Sequence, residues 1–341
     1  MSDSLNRGLK IRRNVLIAGI ALLIGGGIGF AIGHITRVVT TSVYSVRDTS
    51  EHYKFIKPLL AVNNVSNEPS DGYQKLYDDV TAFISENTRS GEHASVFFID
   101  YGQNGGRFTI NPDTGYAPAS LLKVVIMISY LKKAESVPGL LNQSIVYEQS
   151  VQSALESIPF ESPTQLRIGQ SYTVQYLIDK MIADSDNGAM NLLANTIGDT
   201  YLSTVYKALS LPEPDQSSNY TISAKSYSLF FRILYNATYL NNDMSEKAIS
   251  ILTKAKFADG LTAPLPIGTV VAHKFGEHID GSGAQVTAVE LHDCGLVYLP
   301  NNPYFLCVMT HGKTLEGDEH IIQGVSDLIY KQVSQKPSVK K

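Results

Sequence analysis

The sequence has no tryptophan, only two cysteines and little excess charge of either sign. Two cysteines in 341 residues make no disulfide framework, and they show no zinc-site spacing. The eight histidines form no paired ligand motif, so no histidine-built metal site is expected. Lys and Arg number 28 against 32 Asp and Glu. That balance of −4 argues against a nucleic-acid binder working through a basic surface. Internal repeats and long low-complexity tracts are also missing. What remains is a globular composition, 43% hydrophobic and 18% charged, in a chain long enough for one large domain with attachments.

One long apolar run stands out. Val15–Gly33 is 19 uncharged, mostly apolar residues, which at about 1.5 Å per residue roughly matches a ~30 Å hydrocarbon core. Arg7, Lys10, Arg12 and Arg13 precede it, and only Arg37 follows closely. By the positive-inside rule the N-terminus stays in the cytoplasm and the rest is exported. A cleaved signal peptide is the rival reading, but the run is long for one and lacks a small-x-small cleavage site. The expected organisation is a cytoplasmic tail over 1–14, a transmembrane helix over 15–36, an extracytoplasmic stalk over 37–72, a folded domain over 73–333 and a tail over 334–341. Past residue 37 the chain holds 23 basic and 31 acidic residues, so it is no polybasic lipid binder. A short helix is expected within the stalk, from Glu51 to Leu60.

Within the domain, Leu76, Val80, Phe83 and Ile84 recur at helical spacing. Residues Ala94–Tyr101 and Arg107–Ile110 read as two strands joined at Gly105-Gly106. A helical middle follows, in which Val174, Leu177, Ile178, Met181 and Ile182 mark one buried face. Strands return at Thr269–Phe275, Cys294–Leu299 and Tyr304–Thr310, and a closing helix carries Ile321, Val325, Ile329 and Val333. Strands at both ends with helices between them predict an α+β fold, its antiparallel sheet built from the two ends of the domain.

Three short motifs occur in one order: Ser120-Leu121-Leu122-Lys123, Ser185-Asp186-Asn187 and Lys274-Phe275-Gly276. Each has a chemical logic. A serine hydroxyl needs a base beside it to attack a carbonyl. Lys123, three residues on along a helix, shares a face with Ser120 and serves as that base once a dry, cationic pocket removes its proton. At a helix start Ser120 also meets unpaired backbone N–H groups that favour an oxyanion. Between two helices, the Ser185 hydroxyl can pass a proton to a departing amine, and Asn187 can hold Lys123 and a substrate amide. Lys274, at the end of a strand, adds a cation that attracts an anionic substrate.

These segments resemble the class A β-lactamases and the related penicillin-binding D,D-peptidases, over roughly residues 73–333. Tyr116–Lys123 looks like the family's nucleophile segment, and Met181–Leu193 like its second motif with flanks. Gly268–Lys274 and His292–Pro300 look like its sheet strands. The resemblance implies a β-lactamase-like fold, with Ser120 as acylated nucleophile, Lys123 as base or relay, and Ser185 and Lys274 as the proton and anion side of the cleft. It also implies that Asn187 positions substrate, that the N–H groups of Ser120 and Glu277 form the oxyanion hole, and that no cofactor is used. Two departures fall in the substrate cleft. Phe275 stands where the family has a hydroxyl for the substrate carboxylate, and Glu277 where a small or neutral residue is usual. The family's Glu-x-x-Leu-Asn segment, whose glutamate activates the deacylating water, is missing between Asp199 and Ser223, where Glu213 is the sole glutamate. The expected partners are a small-molecule or cell-wall peptide substrate and the membrane. The expected activity is that of a β-lactamase, with a D,D-peptidase and a non-catalytic pseudoenzyme as alternatives. Cys294 and Cys307 fall on neighbouring strands and are expected as buried free thiols.

Overall fold

The computed structural model describes residues 45–47, 53–62, 70, 72–102, 105–151, 164, 166–214, 220–281 and 286–335. The expected membrane helix over 15–36 lies outside the described residues. Among those described, no helix is long and apolar enough to cross a membrane.

The strands are β1 (Ser45–Arg47), β2 (Leu59–Val62), β3 (His93–Asp100), β4 (Arg107–Ile110), β5 (Gly115–Tyr116), β6 (Ser144–Val146), β7 (Ser171–Thr173), β8 (Ile222–Ser223), β9 (Val270–Asp280), β10 (Ala288–Tyr298) and β11 (Tyr304–Gly312). The helices are α1 (Gln74–Asn87), α2 (Lys123–Ser136), α3 (Val174–Ala183), α4 (Asn187–Ile197), α5 (Asp199–Ala208), α6 (Ala224–Tyr235), α7 (Asn242–Leu252) and α8 (Leu315–Ser334). The main sheet is antiparallel, in the order β4-β3-β11-β10-β9, so the two ends of the domain pair as expected.

Both faces of this sheet are covered, and β11 is accordingly buried along nearly its whole length. Its side chains alternate between two cores. Phe305, Cys307 and Met309 join the core shared with α2–α7, while Tyr304, Leu306 and Val308 join the core under α1 and α8.

Four expectations change. Cys294 and Cys307 are directly opposed on β10 and β11, and they form a disulfide rather than free thiols. The bond lies on the helical side of the sheet, with Lys274 paired across from Cys294. Residues 53–60 form no helix, because Pro58 disfavours helical backbone before it and the N–H groups find other partners. The Glu246 carboxylate accepts from the N–H groups of Lys54 at 2.9 Å, Phe55 at 2.9 Å and Ile56 at 3.0 Å. Nor is this segment stalk: Ile56 is 1% exposed in the helical-side core, and the Tyr298 hydroxyl donates to the Phe55 carbonyl at 2.8 Å. Finally, β9 runs on to Asp280 and β10 starts at Ala288, so the hairpin between them is longer at its turn end than expected.

Candidate active site

Ser120 sits in a single 3₁₀ turn, Ala119–Leu122, that leads directly into α2. Ala119, just before it, has φ +46°, a left-handed conformation that costs a non-glycine residue energy and persists only where the surroundings impose it. Those surroundings include β9. A Cβ on Gly276 would lie 2.8 Å from the Pro118 carbonyl oxygen and 3.0 Å from Leu121 Cγ. The glycine of the third motif is thus what lets β9 press against the Ser120 turn.

The second motif occupies the bend between α3 and α4. Asp186 caps α4, accepting from the Ala189 N–H at 2.8 Å and from the Thr164 hydroxyl at 2.9 Å. Ser185 takes φ +54° in this bend, which turns its hydroxyl toward Ser120.

The three motifs converge. Lys123 is fully buried, and its Nζ donates to Ser120 Oγ at 2.8 Å, to the Ser185 carbonyl at 2.6 Å, to Ser185 Oγ at 3.0 Å and to Asn187 Oδ1. An ammonium has three hydrogens for these four oxygens. A neutral amine has two and a lone pair, and the Ser120 hydroxyl is the natural donor to that lone pair. Ser185 Oγ lies 3.1 Å from Ser120 Oγ and accepts from Lys274 Nζ at 3.0 Å. Lys274 is itself fully buried, and it also donates to the Phe275 carbonyl at 2.9 Å. Burial first, and then the neighbouring Lys123 charge, push Lys274 well below the usual lysine range; Asp293 pulls the other way. Two buried amines and two hydroxyls therefore form one connected proton path, in which at most one amine readily carries a charge.

Ser120, Lys123, Ser185, Asn187 and Lys274 thus share one site. The two other residues expected at the cleft are placed differently. Phe275 stacks on Phe257, ring centroids 4.1 Å apart, in the core under α1 and α8, with Lys274 Nζ 4.1 Å from its ring centroid. The ring supplies an aromatic face to a buried cation rather than a donor to a substrate carboxylate. Glu277 is exposed, and its carboxylate has no hydrogen bond or ion pair among the described residues, to Lys274 or to any other group. Burial of part of its surroundings raises its carboxyl above the usual range. Glu213 is exposed on the loop after α5 and faces Lys207 at 3.4 Å. Among the described residues, no carboxylate is hydrogen-bonded to Ser120 or Ser185.

Sequence reading missed a second set of groups. The Ala117 N–H donates to Glu290 at 2.8 Å, and the Ala117 carbonyl lies 3.0 Å from His292 Nε2, which must therefore carry the proton. Burial alone would raise the Glu290 carboxyl, but His292, His311 and the Ala117 N–H outweigh it and hold it at about 2. Glu290 and His292, two apart on β10, grip both backbone polar groups of Ala117, three residues before Ser120. Their Glu-x-His spacing on one strand face would have flagged them had β10 been read to its full length.

Solved structures share this arrangement of elements. PBP-A matches with a TM-score of 0.66 at 19% identity, over 80% of this chain and all of its own. The class A β-lactamase from Mycobacterium abscessus matches at 0.64 and 20%, over 75% of this chain and 98% of its own. The β-lactamase from Sphaerobacter thermophilus DSM 20745 matches at 0.63 and 18%, over 76% and 98%. At such identities the likeness shows the fold. No curated protein sequence matches. The sequence itself fits the model of one family, described as the β-lactamase enzyme family, over residues 75–333, a stretch that holds all three motifs and the strands that bring them together; the chain belongs to that family.

Proposed function

We propose that this protein is a membrane-anchored, extracytoplasmic serine hydrolase that opens β-lactams or related amides through an acyl-enzyme on Ser120. The observation that carries the reading is the buried chain Ser120–Lys123–Ser185–Lys274, each link within hydrogen-bond distance of the next. In this reading neutral Lys123 takes the Ser120 proton as Oγ attacks the amide carbon. The N–H groups of Ser120 and Glu277 receive the developing oxyanion. Ser185 gives its proton to the departing nitrogen and regains one from the Lys123 ammonium, so the protons balance when the ester forms. PBP-A, in a single-site variant 20% identical to this chain, has been solved as an acyl-enzyme complex with penicillin G, which makes penicillins the first substrates to try.

The acyl-enzyme is expected to persist. Glu213 is turned to Lys207, and a tethered β-lactam leaving group blocks the other approach for water. Loss of general-base catalysis slows a step by about 10²–10⁴-fold. The same observation favours a penicillin-binding D,D-peptidase as the second reading, because a peptide leaving group diffuses away. The test is burst kinetics with a chromogenic cephalosporin beside a small thioester, with Ser120→Ala as blank. A cephalosporin burst followed by a slow phase, with faster thioester turnover, is the expected result; rapid linear cephalosporin hydrolysis would sink slow deacylation.

The membrane part of the proposal rests on the basic residues before the apolar run, and the Cys294–Cys307 disulfide suits an oxidising compartment. Protease added to intact cells should digest the chain beyond roughly residue 40. A protected domain would overturn the export.

A further inference from the structure

The edge of the sheet opposite β9 carries a cationic pocket of about 280 Å³ between β3, β4 and α6. Its floor is apolar: Phe97 and Ile99 of β3 and Leu229 of α6. Its rim is three cations. Arg107 lies on β4, in register with Ile99, and Lys225 and Arg232 lie on the same face of α6 as Leu229, at i, i+4 and i+7. Lys225 is accounted for, paired with Asp113 at 3.1 Å. Neither arginine has an ion pair or side-chain hydrogen bond among the described residues.

Two guanidiniums facing one space with no counterion among the described residues repel each other, and the partly buried Arg107 is pushed below the usual arginine range by burial and then by Arg232. The exported part of the chain carries −8, so this is a local positive site on an acidic molecule. We propose that the pocket binds a soluble phosphate monoester with a compact apolar body. After the Lys225–Asp113 pair is discounted, the arginines leave two positive charges, which a phosphate monoester matches with about −1.5 to −2 at pH 7 and three acceptor oxygens. A carboxylate matches half of that. The guanidinium fork suits phosphate oxygens pairwise. The remaining space, over an aromatic and aliphatic floor, takes an apolar group.

The test is titration calorimetry of the full chain at fixed ionic strength with phenyl phosphate, inorganic phosphate and benzyl alcohol. One phenyl phosphate should bind per chain, more tightly than inorganic phosphate, with no heat from the alcohol. Arg107→Gln and Arg232→Gln should each weaken it by about tenfold or more, and the double variant should abolish it. Arg232→Lys, which keeps the charge and loses the fork, should fall between wild type and Arg232→Gln, and it keeps the test open if a glutamine variant folds poorly. None of these residues touches the Ser120 site, so their acylation by penicillin should match wild type. No binding of phenyl phosphate, or equal binding to the double variant, would overturn the proposal.

Discussion

Lysine is rarely buried without a partner that repays its lost hydration, and Lys123 and Lys274 are both fully buried around one serine hydroxyl. The cost is tolerable where an amine sheds its proton, and that same loss makes a base. Asp318 shows the reverse case for an acid. It is 4% exposed in the first turn of α8, and its Oδ2 has no hydrogen-bond partner among the described residues. Burial raises its carboxyl from 3.8 to about 7, against the opposing pull of Thr310 and His311. The folded state therefore holds a proton that the unfolded chain releases. Stability is full below about 4, falls as pH rises, and is fully lost at this site above about 7. Asp318→Asn, which cannot ionise, should gain on wild type between pH 4 and 8, by no more than about 4 kcal/mol. Urea denaturation at the two pH values measures this; a pH-independent difference would mean that Asp318 ionises normally.

Among the elements, β10 holds the residue that leads into the Ser120 turn, while β9 packs against the turn itself. On β10, Glu290 and His292 hold the backbone N–H and carbonyl of Ala117, and the strained Ala119 follows two residues later. Glu290→Ala leaves the Ala117 N–H without its charged acceptor and should slow Ser120 acylation by about tenfold or more. Glu290→Gln, which keeps an acceptor in place, should recover much of that rate; equal losses in both variants would assign the effect to charge rather than position. Little of this was legible in the sequence. His292 and Asp293 fall in a stretch that resembles a family strand, but Glu290 lies before it, and only the fold supplies the partners of all three: Ala117, His311 and His273. The turn end of the β9–β10 hairpin was missed for the same reason. The α3 helix, by contrast, follows from the spacing of its apolar residues, and the second motif lies in the bend after it as expected. The disulfide was missed because strand register, which sets Cys294 opposite Cys307, is not written in the strands themselves. The docking of residues 53–59 depends on Glu246, nearly two hundred residues away, and no local pattern announces it.

At the scale of the molecule, the site lies where the sheet meets the helical layer. The 3₁₀ turn and α2 supply Ser120 and Lys123, the α3–α4 bend supplies Ser185 and Asn187, and β9 supplies Lys274. Neither end of the domain makes the site alone, because the order β4-β3-β11-β10-β9 places the C-terminal hairpin beside the Ser120 turn. Phe275 and Glu277 change what the cleft offers a substrate, yet both leave the Ser120–Lys123–Ser185–Lys274 chain intact. Acylation of Ser120 is the step on which every proposed role in this site depends. Intact-mass spectrometry of the full chain with penicillin G over time, with peptide mapping of any adduct, measures this directly. One long-lived penicilloyl group on Ser120, missing from Ser120→Ala and formed far more slowly by Lys123→Ala, is the result expected. An adduct elsewhere, or none with penicillin G or a thioester acyl donor, would contradict it.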